Sequence, residues 1–143
     1  MSLGRAAPKR LGILSYCPDP PSRQDLTGTW QGSPDFMHWL GSTAMPGPVA
    51  TGTHALRGTV VVARAAKGRT VVFHLRALKG DLRALVINGN YVGAPVDEPG
   101  SVDWNITPWV LPGRKNDLVL ITSGGAETIK TMALNFYEPG TYP

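Results

Sequence analysis

The sequence contains a single cysteine and no long apolar run among its 143 residues. One cysteine, Cys17, cannot form an intramolecular disulfide or a cluster of thiolate metal ligands. The longest apolar runs, residues 60–63 and 118–121, have the length of strands and are too short to cross a bilayer. We therefore expect neither a disulfide-stabilised domain nor a membrane protein.

The motifs of common catalytic sites are also missing. There is no G-x-S-x-G sequence, and none of the three histidines has an evident serine partner. Hydrolysis of a glycoside requires two carboxylates placed across a cleft. The acidic residues here fall mostly in predicted turns, where carboxylates satisfy backbone N–H groups, and no pair stands out. An enzyme acting on its own is therefore the weakest of the functions that we consider.

Charge is modest and scattered. The formal net charge is +4, and three of the basic residues lie within the first ten positions. The remaining lysines and arginines are distributed over predicted turns and strand ends, without the basic stripe and interleaved aromatics typical of nucleic-acid binding. The N-terminus has no uninterrupted apolar stretch of the kind found in signal peptides. We expect no nucleic-acid partner, and the sequence does not indicate a localisation.

Short alternating segments fill the chain from residue 56 onward. In residues 70–77 apolar side chains alternate with polar ones, and Asn88-Gly89 supplies the two positive-φ residues of a type I′ hairpin turn. No segment of ten or more residues has a helical period. The pattern predicts an all-β antiparallel sandwich. The residues predicted to point into its core are Val71, Phe73, Leu75, Leu85, Ile87, Leu118, Leu120, Met132, Leu134 and Phe136.

The length fits one domain with a sizeable core. Four prolines break up residues 1–24, which we interpret as an N-terminal tail or linker, and we assign residues 25–143 to the sandwich. Within it, residues 30–52 are predicted to carry a long loop that contains aromatic side chains, glycines and prolines.

Three segments in the second half of the chain carry a recognisable order of residues: Val86, Asn88, Gly89, Val92 and Gly93, then Asn105 and Thr107, then Leu111, Pro112, Gly113, Asn116, Leu118 and Leu120. This order resembles the sugar-binding domains of family-two and family-thirty-five glycoside hydrolases, which are β-galactosidase-like enzymes. The resemblance covers about residues 25–137. It implies a jelly-roll sandwich of the galactose-binding-domain type. In such enzymes this domain is non-catalytic.

Carbohydrate binding needs an aromatic plane against the C–H face of a sugar and amides or carboxylates for its hydroxyls. We expect such a site in the loops at one end of the sandwich. The candidate residues are Trp39, His38, Tyr91, Asn90, Asp97, Asp103 and Trp104. For Tyr91 and Trp104, a place in the core is an equally good interpretation, whereas Trp30 and Trp109 favour the core.

The sequence thus predicts a non-catalytic carbohydrate-binding or accessory module that is part of, or associated with, a glycoside hydrolase. Its expected partners are carbohydrate and a catalytic glycosidase domain. The alternative is a structural sandwich that packs against another domain or subunit and has no sugar site. We expect no cofactor; a structural calcium ion is neither indicated nor excluded by the sequence.

Overall fold

The computed structural model describes residues 22–77, 82–93, 95–98 and 100–142, with the backbone alone described for residues 82–83 and 96–98. Nearly all of its regular structure is β-strand, with one short 3₁₀ turn at Arg64–Ala66. None of the described helical structure is long and apolar enough to span a membrane. The strands in chain order are β1 (Ser22–Asp25), β2 (Gly28–Ser33), β3 (Leu40–Met45), β4 (Pro48–Val49), β5 (Ala55–Val61), β6 (Thr70–Ala77), β7 (Leu82–Ile87), β8 (Asn90–Val92), β9 (Val96–Glu98), β10 (Ser101–Asn105), β11 (Lys115–Thr122) and β12 (Glu127–Tyr137).

These strands form two antiparallel sheets. The first sheet has the order β1-β12-β6-β10-β9, with β4 also paired to β12, and the second has the order β3-β2-β5-β11-β7-β8. Apolar residues of both sheets belong to one core cluster, so the sheets pack face to face. The all-β antiparallel sandwich predicted from the sequence is confirmed. The finer jelly-roll connectivity stays a prediction.

The core contains the side chains that the alternating pattern predicts. All ten residues expected to point inward are buried, and Phe73 and Leu120 are fully so. On β5 the inward position opposite Trp30 is a glycine, Gly58, and a Cβ there would lie only 2.4 Å from two atoms of the indole ring. Because Trp30 is itself only 3% exposed, its ring fills the space above that glycine. The second sheet can therefore bury this tryptophan only where β5 has no side chain.

The predicted hairpin joins β7 to β8. Asn88 and Gly89 have φ values of 50° and 81°, as a type I′ turn requires, and Ile87 pairs with Asn90. The Asn88 side chain also makes hydrogen bonds to residues outside the turn. Its Nδ2 donates to the Trp109 carbonyl at 3.0 Å, and its Oδ1 accepts from the Asp117 N–H at 2.9 Å. Asn88 therefore holds the hairpin to β11, which is a structural role.

Two predictions about the first half of the chain differ from the structure. Residues 30–52 are not one loop, because β2 and β3 pair there as a hairpin from Gly28 opposite Met45 to Gly32 opposite Leu40. The β3 sequence, Leu-Gly-Ser-Thr-Ala-Met, lacks the β-branched alternation that marks a strand, and pairing with β2 overrides that weak propensity. The tail predicted for residues 1–24 overlaps β1, which pairs with β12 from Ser22 onward. Residues 1–21 lie outside the described residues.

Candidate functional site

One row of side chains crosses the outer face of the second sheet. Residues that oppose each other in antiparallel strands share a face, and four successive cross-strand pairs connect β2, β5, β11, β7 and β8. From β5 to β8 the row spans three strand spacings, or about 14 Å. We call this surface the open face. Its row consists of Gln31, Arg57, Val119, Val86 and Tyr91.

Arg57 stands near one end of the open face and is held by two neighbours. Its guanidinium carbon lies 4.3 Å from the centroid of the Trp39 ring, and its Nε donates to Gln31 Oε1 at 2.9 Å. A cation over an indole is stabilised by the negative face of the ring. Trp39, predicted as a stacking platform for sugar, therefore has one ring face covered by Arg57.

Tyr91 stands at the other end of the row. It is 63% exposed, and its ring lies on a strand rather than in an end loop. The predicted alternative, a place in the core, is wrong for Tyr91, because the alternation of β8 directs Val92 inward instead. Tyr91 thus offers the free aromatic surface on the open face.

A hollow of about 530 Å³ lies on the open face beside Arg57 and is open to solvent. Thr59 and Asp117 oppose each other across β5 and β11, and the Thr59 hydroxyl donates to Asp117 Oδ1 at 3.1 Å. Guanidinium, amide, hydroxyl and carboxylate groups therefore lie close together. The polar side chains that line the hollow are Thr29, Gln31, Arg57, Thr59 and Asp117.

The loop before β3 is organised around Asp35. Its carboxylate accepts from the backbone N–H groups of Met37 at 2.9 Å and His38 at 2.8 Å, and its Oδ2 lies 2.5 Å from His38 Nδ1. Hydrogen bonds from the His38 N–H and then from its ring, followed by that from the Met37 N–H, hold the pKa of Asp35 well below its usual range. His38, predicted as a sugar ligand, is exposed but bound to Asp35 within its own loop. This arrangement fixes the segment that carries Trp39.

Two of the predicted ligands lie on the first sheet. Trp104 is fully buried and its ring packs near Phe73, with ring centroids 6.1 Å apart. The prediction of Trp104 as a stacking platform is therefore wrong, because every second residue of β10 faces the core. Asp103 faces away from the core, and its Oδ1 lies 2.6 Å from His74 Nδ1 in a pair that is mostly shielded from solvent. Neither residue belongs to the open face.

The last two predicted ligands are Asn90 and Asp97. The Asn90 side-chain amide donates to the carbonyls of Ile87 and Asn88, at 3.3 and 3.1 Å, and so braces the hairpin turn. Asp97 is in β9, opposite Val102 at the edge of the first sheet, and its side chain lies outside the described residues. Among the predicted ligands whose side chains are described, Trp39 and Tyr91 alone lie at the open face, at its opposite ends and not together in an end loop.

Sequence reasoning missed the polar residues that line the hollow, among them Arg57, Gln31 and Asp117. A signal was present: in β5, Arg57 and Thr59 alternate with the buried Leu56 and Val60, which marks one wet face of a half-buried strand. The pairing that brings β5 beside β11 cannot be obtained from such alternation. Within the described ranges, no group of three or more His, Cys, Asp or Glu residues is placed to hold a metal ion.

No family model and no curated protein matches this sequence. Solved structures share its fold at low identity. A β-glucuronidase of Lactobacillus rhamnosus is 15% identical, with a TM-score of 0.60 over 85% of this chain and 30% of its own. A Bacteroides uniformis β-glucuronidase is 16% identical, with a TM-score of 0.61 over 82% of this chain and 18% of its own.

A glycosyl hydrolase family 2 member from Bacteroides cellulosilyticus gives a similar result, with 14% identity and a TM-score of 0.59 over 82% of this chain and 21% of its own. The chain spans less than a third of the length of each of these proteins. The likeness agrees with the resemblance found in the sequence. The chain therefore has the fold of a β-sandwich portion of these larger glycosidases.

Proposed function

We propose that this chain is a non-catalytic accessory module of a glycoside hydrolase and that it holds carbohydrate on the open face. The observation that carries the proposal is the 63% exposed ring of Tyr91 at the end of a row that contains Arg57 and Gln31. An aromatic ring buries a large apolar area when a sugar covers it, and the polar groups fix the orientation of the hydroxyls. The fold shared with parts of larger glycosidases supports the assignment to such an enzyme.

The shape of the face favours an extended ligand. Arg57 and Tyr91 are separated by three strand spacings, about 14 Å, with the two half-buried valines Val119 and Val86 between them. A single sugar ring cannot reach both ends, whereas a chain of sugars lying across the strands can. We therefore expect an oligosaccharide to bind more tightly than its monosaccharide.

The content of the hollow supports a non-catalytic role. Its described lining residues include one carboxylate, that of Asp117. Glycoside hydrolysis by the usual route requires an acid and a second carboxylate on either side of the bond. We expect the isolated chain to release no nitrophenol from a nitrophenyl glycoside.

Titration with oligosaccharides, followed by NMR, tests the proposal. We expect weak binding, with a Kd of roughly 10 μM to 1 mM, equivalent to about 4 to 7 kcal/mol. Tyr91→Ala should weaken binding at least tenfold because the stacking surface is lost, whereas Tyr91→Phe should retain it. Phe36→Ala is the matched control, since Phe36 is also an exposed aromatic, at 49%, but lies in the loop before β3. Shifts confined to residues far from Tyr91, or absent for every glycan, would reject the proposal.

A second candidate is a structural module that packs against another domain or subunit. The observation in its favour is a cluster of exposed apolar side chains in and after the loop at residues 34–39: Phe36 at 49%, Met37 at 77% and Leu40 at 61%. Exposed apolar surface of this kind favours association. If this candidate is correct, Met37→Glu should reduce concentration-dependent self-association of the isolated chain in analytical ultracentrifugation, and no glycan should bind.

A further inference from the structure

The guanidinium of Arg57 is positioned before any ligand is present. Its central carbon lies over the Trp39 ring, 4.3 Å from the centroid, and its Nε donates to Gln31 Oε1 at 2.9 Å, so two contacts restrain the group. A free arginine side chain loses rotamer entropy when a ligand fixes it. Here the fold has already restrained it, so little of that cost is left for a ligand.

Within the part of the chain that the structure describes, no acidic side chain forms an ion pair with Arg57. Among the described residues the ion pairs join Arg23 to Asp25, His38 to Asp35, Arg69 to Glu138 and His74 to Asp103, and Arg57 takes part in none of them. The acid of the hollow, Asp117, accepts a hydrogen bond from Thr59 instead. The edge of the guanidinium away from Gln31 is therefore available to an external group.

A planar guanidinium fork binds an oxyanion through two parallel hydrogen bonds, and such charge-assisted bonds are about twice as strong as neutral ones. We infer that the open face selects acidic glycans, whose carboxylate or sulfate group is bound by Arg57 while the sugar chain runs toward Tyr91. This inference rests on the proposed function and adds the class of sugar. The shared chemistry is an oxyanion carried on a sugar ring.

Affinity measurements on paired polymers test the inference. The carboxylated pair is polygalacturonate and its carboxyl-reduced form, and the sulfated pair is dextran sulfate and dextran. We expect at least one acidic polymer to bind ten times more tightly than its neutral counterpart in affinity electrophoresis or calorimetry. The pair that shows the preference identifies the group, and Arg57→Gln should remove that preference, because the acidic polymer then loses more affinity than its neutral counterpart.

Two further variants separate this site from general charge attraction. Arg76→Gln removes the same charge from the outer face of the first sheet, where Arg76 is exposed, and should leave the preference intact. Arg57→Lys keeps the charge but lacks the fork, and should lose severalfold in affinity for the acidic polymer. If Arg76→Gln and Arg57→Gln reduced the preference for the acidic polymer equally, the inference would be overturned.

The outcomes also distinguish this inference from the proposed function. Equal affinity for acidic and neutral polymers, with Tyr91→Ala still abolishing binding, would overturn the acidic preference and leave the carbohydrate module standing. Absence of binding to all four polymers would overturn both. Unchanged amide spectra of the Arg57 variants confirm that the fold is retained and that a loss of preference comes from the site.

Discussion

The outer faces of the two sheets carry similar types of residue, but these side chains differ in burial and in pairing. On the first sheet, Val72, Ala133 and Asn135 are buried although they alternate with core residues, and His74 is paired with Asp103. We call this surface the closed face. The C-terminal segment adds to its burial, because the ring of Tyr142 packs on Tyr137 with centroids 4.9 Å apart. On the open face, Arg57, Asp117 and Tyr91 are exposed.

The difference shows which polar groups belong to the fold and which are available to a ligand. A partly shielded histidine beside a carboxylate satisfies its own hydrogen bonding and contributes to structure. An exposed guanidinium that is oriented, and that has no acidic partner among the described residues, keeps its binding capacity. The two faces therefore predict opposite responses to substitution: loss of stability on the closed face, and loss of binding on the open face.

The largest expected difference between the two faces is in the loss of stability when a charge replaces an outward-facing valine on each. Val72 and Val119 both face outward from central strands, but Val72 is fully buried and Val119 only partly. Val72→Asp should lower the free energy of unfolding by on the order of 4 kcal/mol, because burial strongly disfavours a charged carboxylate. Val119→Asp should cost about 1 kcal/mol or less. Urea denaturation of both variants measures the difference, and equal losses would remove the distinction between the faces.

The next effect concerns the inner side of the second sheet. Gly58→Ala places a Cβ 2.4 Å from the Trp30 ring, and we expect overpacking to cost about 1 to 3 kcal/mol. Gly28→Ala is the control, since nothing lies within 4 Å of the added atom. Thermal denaturation followed by tryptophan fluorescence compares them. If Gly58→Ala melts at the wild-type temperature, Trp30 does not pack on Gly58.

A substitution in the hairpin at the end of the open face should cause a smaller loss of stability. Gly89 has a φ of 81°, so Gly89→Val should destabilise the chain by roughly 1 kcal/mol, because a β-branched residue resists positive φ. Gly89→Asn should be tolerated better, since asparagine adopts this conformation more readily. An unchanged melting temperature for the valine variant would contradict the turn assignment.

The smallest effect depends on pH and is confined to the loop that places Trp39 beside Arg57. The pKa of Asp35 is lowered by hydrogen bonds from His38 and Met37, so its contribution to stability is present above the usual carboxyl pKa of about 4 and is lost as pH falls toward the lower folded value. Acidification below about pH 4 should therefore release the loop that carries Trp39 before the core unfolds. NMR signals of the indoles report this, with the buried Trp104 as an internal reference.

Asp35→Asn should perturb the Trp39 signal already at pH 7, because the amide cannot accept the same set of hydrogen bonds as the carboxylate. The difference between wild type and variant should shrink as pH falls. A difference that stays constant from neutral to acidic pH would show that the Asp35 charge does not hold the loop.

Sequence patterns predicted the second half of the chain better than the first. The segment from Thr70 to Ala77 is β6 with the expected inward residues, and the Asn88-Gly89 turn lies where its positive φ values require. In the first half, β3 escaped prediction because its residues have little strand propensity and pair only through the β2 ladder. The sequence predicts structure well where apolar alternation and turn-forming residues agree, and poorly at an edge strand such as β3.

For the candidate site the sequence predicted residue types more successfully than positions. Trp39 and Tyr91 lie on one face, but Trp104 is in the core and Asp103 is on the opposite sheet. Aromatic and amide residues can be identified one at a time from the sequence. Whether a strand residue points outward, and which strands lie beside it, depends on register and sheet order.

The sequence by itself determined the all-β sandwich, its core and its hairpin, because period-two alternation and positive-φ turn residues act over a few neighbouring positions. Only the tertiary structure decided the open face. Arg57 meets Gln31 and Val119 because β5 lies between β2 and β11, strands that are distant in the chain. Non-local pairing of this kind is set by how the two sheets bury their apolar sides together, and no local pattern encodes it.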